Sequence, residues 1–176
     1  LEIDASMHVV DLVREGFHAA VRQGIGPWAG LESERLFEQP SFIVVGSPSA
    51  ARRLVGAQPE AFAREPLLGD NDVWKDWFAA AGLRVNVRTV AVFNDAGLML
   101  QAAEQSLGLA LAREIHAADA LIDGRLVRLS PITVTHEEAQ PYHLVYPPAL
   151  RDWPPLDAFR RWLRDELDQS MAALHR

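Results

Sequence analysis

Apolar positions recur along the chain at two spacings, one helical and one extended. Leu156, Phe159, Leu163, Leu167, Met171 and Leu174 lie three or four positions apart on one face, which predicts an amphipathic helix over 156–174. Val85, Val87, Thr89, Ala91 and Phe93 fall on every second position and predict a strand over 85–93. The uniformly apolar run 42–45 and the run 142–146 predict buried strands, and shorter strands are expected over 17–21, 36–37, 66–69, 109–112, 126–129 and 132–135. Helices are expected over 7–15 with Ser6 as N-cap, over 48–55 behind Ser47-Pro48, from Pro59, from an Asp72 cap, over 96–106 behind Asn94-Asp95, and over 115–122. Gly16, Gly82, Gly108 and Gly124 close these units, and the Gly- and Pro-rich stretch 24–30 reads as a loop. Strands alternating with helices argue an α/β fold with mostly parallel sheets. The runs at 42–45 and 142–146 are candidates for chain crossings between two lobes, one made of 1–45 and 142–176, the other of 46–141.

Composition narrows the class. A hydrophobic fraction of 49% over 176 residues is enough for a packed core and excludes a disordered, collagenous or coiled-coil chain. With no cysteine there is no disulfide, thiolate metal site or cysteine nucleophile. A net charge of −7 makes the chain by itself a poor binder of nucleic acid, because phosphate neutralisation needs a basic face. The apolar runs fall far short of the ~20 residues of a membrane span, and no charged segment followed by an apolar one opens the chain as an export signal would. Leu-Glu-Ile-Asp-Ala at the start alternates like the end of a strand, so a piece upstream is expected to be missing.

Most catalytic templates fail. Gly46-Ser47-Pro48-Ser49 puts proline where a nucleophile elbow needs free backbone, and serine at an N-cap with proline at N1 accounts for it. Gly24, Gly26 and Gly30 miss the dinucleotide-binding spacing. His136-Glu137-Glu138 opens like a zinc-protease motif, but Gln140 stands where the second histidine belongs. Asp70-Asn71-Asp72 lacks the glycine and trailing glutamate of a calcium loop. The histidines, His116 and His143 among them, form no i, i+4 pair and read as surface or interface residues. No metal and no cofactor is expected. The informative stretch is 93–103, where a strand ends at Phe93 and a helix with small residues in its first turn starts at once. Free N–H groups at such a terminus attract carboxylates or phosphates, and ligands of open α/β sheets bind at the carboxyl ends of strands. A capped helix with no ligand is the other reading, and the Asp95 carboxylate would compete for the same N–H groups.

These residues resemble a known family. Phe93-Asn94-Asp95-Ala96-Gly97-Leu98, Gln101-Ala102-Ala103 and Gly108-Leu109-Ala110-Leu111 look like the second-lobe signature of LysR-type transcriptional regulators, in the branch of the glycine-cleavage activator and the β-lactamase inducer. The other marks follow in order: Gly16-Phe17, Ala20-Val21-Arg22 with Gly24, Gly26 and Trp28, Ser47-Pro48, Trp77 with Gly82, Gly124-Arg125-Leu126-Val127, Tyr142 with Leu144-Val145-Tyr146-Pro147, and Phe159 with Trp162-Leu163. The resemblance covers nearly the whole chain. Three positions depart from it: His18 stands where the family usually has Asp, Ala96 where it often has Ser, and Ser106 where it often has Gly.

The resemblance implies an effector-binding domain of periplasmic-binding-protein-like fold, two Rossmann-like lobes joined by two crossover strands, with a small molecule in the cleft. It implies an N-terminal helix-turn-helix upstream that alone touches DNA, pairing into a homodimer or tetramer, no membrane association, and a place in the cytoplasm. Residue by residue it carries effector contacts onto Asn94, Asp95, Ala96 and Tyr142, although the hydroxyl that helps hold the effector in the inducer type is lost at Ala96. Trp28, on the glycine-rich loop, is added as a possible apolar wall, the alternative being an anchor that packs the loop; Tyr142 could equally be a core residue of an edge strand. The competing functions are a free-standing solute-binding protein of a transporter, which shares the fold, and a small α/β enzyme, for which the chain offers no nucleophile paired with a base.

Overall fold

The computed structural model describes residues 1–6, 8–37, 41–136 and 140–174. The chain divides into two units, Leu1–Gln39 with Gln140–Glu166, and Pro40–Ala139 with Leu167–Arg176.

The first unit is built on a three-stranded sheet. Its middle strand is β7 (Tyr142–Tyr146), flanked by β1 (Ala20–Gln23) and β2 (Glu32–Arg35), and both pairings are antiparallel. A short helix, α1 (Leu12–Glu15), precedes β1, and its N-cap is Asp11, not Ser6. The Asp11 carboxylate accepts from the Arg14 N–H at 3.2 Å, and Gly16 ends the turn with φ of 78°. Leu144 and Tyr146 on one face of β7 pack against Leu156, Phe159 and Leu163 of α7 (Pro154–Leu174). The same face carries Glu32 and Glu34 of β2. Glu34 accepts from the Tyr146 hydroxyl at 2.6 Å and pairs with Arg160 and Arg164, and Glu32 pairs with Arg151. Polar β2 thus replaces the strand expected at Leu36–Phe37, because its inward positions are satisfied by ion pairs and need no apolar side chain.

The second unit is a three-layer sandwich. Its sheet has the order β4 (Leu67–Leu68), β5 (Leu109–Arg113), β3 (Ser41–Gly46), β6 (Val127–Thr135). β3 is the pivot. Phe42 and Val44 face α2 (Pro48–Leu54), α3 (Pro59–Phe62) and α4 (Asn71–Ala80), where Trp74, Trp77 and Phe78 are fully buried. Ile43 and Val45 face α5 (Ala96–Glu104) and α6 (Glu114–Ile122). The Trp74 indole N–H donates to the Leu68 carbonyl at 2.9 Å, so a ring without exposure keeps its polar atom bonded.

Several expectations are corrected. The sheets are not mostly parallel: β4 and β5 run parallel, but β3 is antiparallel to both β5 and β6. β–α–β crossovers align β4, β5 and β6 with one another, and β3 lies against that direction between two of them. The strand expected over 85–93 reduces to a single parallel bridge, Leu68 to Ala91, flanked by two hydrogen bonds, Gly69 N–H to the Ala91 carbonyl at 2.9 Å and Val90 N–H to the Leu67 carbonyl at 2.8 Å. Its partner β4 is two residues long and leaves nothing more to pair with. Phe17 precedes β1 instead of opening it. The strands expected at 126–129 and 132–135 are one, because the ladder to β3 bulges between Ile43 and Val45 and absorbs Ser130-Pro131. The Arg128 guanidinium holds that bulge, donating to the carbonyls of Ser130 at 3.0 Å and Pro131 at 3.2 Å and to the Thr133 hydroxyl at 2.6 Å. Asp70, not Asp72, caps α4.

One glycine is required by close approach. A Cβ on Gly108 would stand 2.6 Å from the Pro66 carbonyl oxygen and 2.9 Å from Leu68 Cγ. Gly108→Ala is therefore expected to destabilise the chain by about 1–3 kcal/mol. Equilibrium urea denaturation checks this, and an unchanged midpoint would show that β4 gives way freely.

Candidate functional site

In the second unit the start of α5 is placed by the Ala91 bridge. That bridge runs parallel to β4, and β4 runs parallel to β5, so the chain leaves the sheet at the end where β5 also terminates. α5 and α6 accordingly begin at the same end of the sheet. Asp95 is the N-cap of α5, as its position before the small first-turn residues suggests: its carboxylate accepts from the Leu98 N–H at 2.8 Å, and its carbonyl accepts from Met99. The N–H groups of Ala96 and Gly97, the first two of the helix, have no intrahelical acceptor. Asn94 and Asp95 are exposed and Ala96 is half-buried. The competition between the Asp95 carboxylate and an anion is therefore local: one N–H is taken, two are left.

Next to this start stand two side chains that sequence reasoning missed. Arg113, the last residue of β5, is 8% exposed and lies over the Phe42 ring at 5.5 Å. His116, in the first turn of α6, has its pKa lowered, first by burial and then by the Arg113 charge, against an opposing pull from Asp95. Its coupling to both residues groups Asp95, Arg113 and His116 at one end of the sheet. Only the parallel register of β4, β5 and the Ala91 bridge brings them together, which no local pattern announces. Glu114, also buried, accepts from the Ser41 hydroxyl at 3.2 Å and pairs with Arg128 at 3.3 Å.

In the first unit, Tyr142 opens β7, half-buried, with its ring 5.3 Å from that of Phe37. Trp28 is half-buried on the loop and lies edge-on to the His143 ring at 5.1 Å. The loop glycines admit it: a Cβ at Gly24 would be 3.1 Å, and at Gly26 3.2 Å, from the indole. Since neighbouring residues of a strand project to opposite faces, Trp28 is associated with the face of β7 opposite to Tyr142.

The remaining motifs have structural uses. Ser47 is 3% exposed and caps α2, accepting from the Ala50 N–H at 3.3 Å, and its hydroxyl is shared with Ser49 and Ser106. His136 meets Asp76 at 2.5 Å, while Glu137 and Glu138 lie outside the described residues. Among the described residues no three His, Cys, Asp or Glu side chains converge as a metal would need, and no helix is long and apolar enough to cross a membrane.

A mixed sheet with helical layers on both faces defines an α/β domain. Residues 1–168 match the family model of the LysR substrate binding domain, and the chain belongs to that family. It is 33% identical over 171 residues to the HTH-type transcriptional activator AmpR of Citrobacter koseri, covering 93% of this chain and 55% of that protein. It is 29% identical over 160 residues to the glycine cleavage system transcriptional activator of Escherichia coli K12, covering 87% of this chain and 50% of that protein. The chain thus spans about half the length of the curated relatives it matches. Among solved structures it resembles the effector domain of AmpR of Pseudomonas aeruginosa, with a TM-score of 0.73 and 31% identity over 96% of this chain and 81% of that one. The fold is that of LysR effector domains, periplasmic-binding-protein-like, and the relatives are transcriptional regulators, not transporter components.

A histidine whose pKa is depressed on folding binds protons more readily when unfolded. Its contribution to stability is complete above the unfolded value near 6.5 and is lost as pH falls through the lower folded value. His116→Asn is expected to flatten the fall in melting temperature between about pH 7.5 and about pH 5. Melting curves of the two proteins across that range check it, and parallel curves would remove His116 as the titrating group.

Proposed function

We propose that this chain is the effector-sensing part of a LysR-type DNA-binding transcriptional regulator. The candidate effector contacts are Asn94, Asp95 and Ala96 within the second unit and Tyr142 within the first; Trp28, the other candidate, packs against His143 on the opposite face of β7. Effector binding changes regulation by favouring one arrangement of the domain over another, which a ligand achieves only through unequal affinity for the two. DNA is read by a helix-turn-helix outside these 176 residues, the regulator works as a homodimer or tetramer in the cytoplasm, and the domain binds its ligand without catalysing a reaction or using a cofactor. The observation that carries this reading is the start of α5, where two N–H groups without intrahelical acceptors stand beside Asp95 in a chain whose relatives are regulators. Arg113 ends β5 at the end of the sheet where α5 also begins, and its charge favours an effector with a carboxylate.

Soaking the protein in metabolite libraries while following its melting temperature tests the proposal. A ligand at 100 times its dissociation constant adds about 2.7 kcal/mol of stability and moves the transition clearly. Tyr142→Ala is expected to weaken a hit about tenfold or more while the far-ultraviolet spectrum stays unchanged. Equal affinities by calorimetry would take Tyr142 out of the site. Sedimentation of the unliganded chain is expected to give a dimer, and a monomer at high micromolar concentration would count against the pairing.

A further inference from the structure

The position of the α5 start depends on more than the Ala91 bridge. β4 ends at Leu68, and the next residue, Gly69, has φ of 100°, a left-handed conformation that favours glycine. Its N–H donates to the Ala91 carbonyl at 2.9 Å, in the segment that runs on into Asn94 and Asp95. The Leu68 carbonyl before it accepts from the Trp74 indole at 2.9 Å, so this end of β4 is tied to the buried face of α4. The space that a side chain of Gly69 would occupy is filled from α5. A Cβ there would stand 2.9 Å from Met99 Sδ and, its chain neighbours aside, would meet no other described atom within 4 Å. Met99 is 9% exposed, and its N–H closes the first turn of α5 on the Asp95 carbonyl at 3.2 Å. Helical side chains lean toward the N-terminus, so the thioether reaches back over the turn that holds Asp95, Ala96 and Gly97. Gly69 therefore meets the chain on both sides of the candidate contacts, through a hydrogen bond ahead of them and through Met99 behind them.

On the reading of the α5 start as the place of effector contact, we propose that Met99, seated against Gly69, is a positioning residue for Asn94, Asp95 and Ala96. Met99 touches no effector in this role. It fixes where the free N–H groups of Ala96 and Gly97 stand relative to β4, and so whether a carboxylate meets them in register. An unbranched thioether suits the task, because it bends into a hollow left by one missing methyl and its polarisable sulfur gains contact there.

The test uses the whole chain, isotope-labelled, as wild type, Met99→Ala and Met99→Leu, each held well below its melting temperature. Residual dipolar couplings report the directions of the Ala96 and Gly97 N–H bonds relative to those of β3. The same two amide signals are then followed during titration with acetate, with chloride at matched ionic strength as the control. Met99→Ala is expected to turn the two N–H bonds while the β3 couplings stay unchanged, and to weaken acetate about fivefold or more. Met99→Leu refills the seat and is expected to restore most of both. If Met99→Ala does not fold, Met99→Val, which shortens the side chain but keeps it apolar, is read in the same way. A folded variant with a lower melting temperature, wild-type couplings and undiminished acetate affinity would reduce Met99 to a core side chain and overturn the proposal. A wild type whose signals ignore acetate, or answer chloride equally, would count against the effector contacts; turned N–H bonds in Met99→Ala would still support the seat, and unturned ones would overturn it.

Discussion

β3 must be covered on both faces, and the rest of the second unit follows from that requirement. Its residues Ile43, Val44 and Val45 have no exposure at all, so neither face can meet water. Burying each such side chain is worth about 1.5–3 kcal/mol, and the strand can collect that only if a helical layer lies on each side. The tryptophan-rich face of α4 supplies one layer, and the smaller Met99, Leu100, Ala103, Ala117 and Ala120 supply the other. The asymmetry has a consequence for the site. Large rings hold α4 in place by shape, with centroids of Trp74, Trp77 and Phe78 5.1–5.8 Å apart, whereas α5 and α6 contribute smaller side chains, among them Ala103, Ala117 and Ala120. Asp95 at the start of α5 lies within electrostatic reach of His116.

The first unit is held differently. Its sheet buries few large side chains, and much of its helix contact runs through Glu34. Burial works against the charge of this carboxylate, yet its pKa is lowered, because hydrogen bonds from Tyr146 and Arg160 and the charges of Arg160 and Arg164 outweigh desolvation. The partner phenol is driven the other way: burial first, then Glu34, pushes Tyr146 up to about 12. One sheet thus has an acid-lined face closed by arginines of α7 and a base-lined face holding Arg22, His143 and Arg35. The chain's net charge of −7 says nothing of this, because the separation is made by strand alternation, not by composition.

What could be read from the chain beforehand was local. The α5 start was legible because Asp95, the small residues behind it and Gly108 are close in sequence, and cap chemistry acts over three or four positions. The same holds for Ser47-Pro48 and for the long apolar stripe of α7. Errors arose where a partner decides. The alternation over 85–93 is real, and Val87 is buried while Val90 and Val92 are 65% and 71% exposed, but a two-residue β4 permits only one bridge. β2 went unseen because Glu-Ser-Glu-Arg carries no apolar signal, and its inward residues depend on arginines more than a hundred positions away. Of the candidate contacts, Asn94, Asp95, Ala96, Tyr142 and Trp28 could be named one by one. Arg113 and His116 are brought to one end of the sheet only by the register.

The two departures from the family pattern on α5 are connected by the helix itself. At its start Ala96 lacks a hydroxyl, so Ala96 and Gly97 present backbone N–H groups only. Beyond its last turn Ser106 adopts φ of 64°, a conformation costing a residue with Cβ about 1 kcal/mol relative to glycine. The hydroxyl offsets that strain: it donates to Ser47 at 2.8 Å and lies 3.0 Å from Ser49, which itself is 2.8 Å from Ser47. Three hydroxyls closing on one another tie the end of α5 to the N-cap of α2. The Gly108 approach to Pro66 pins the chain two residues later. α5 is therefore anchored at its far end and left with open donors at its near end.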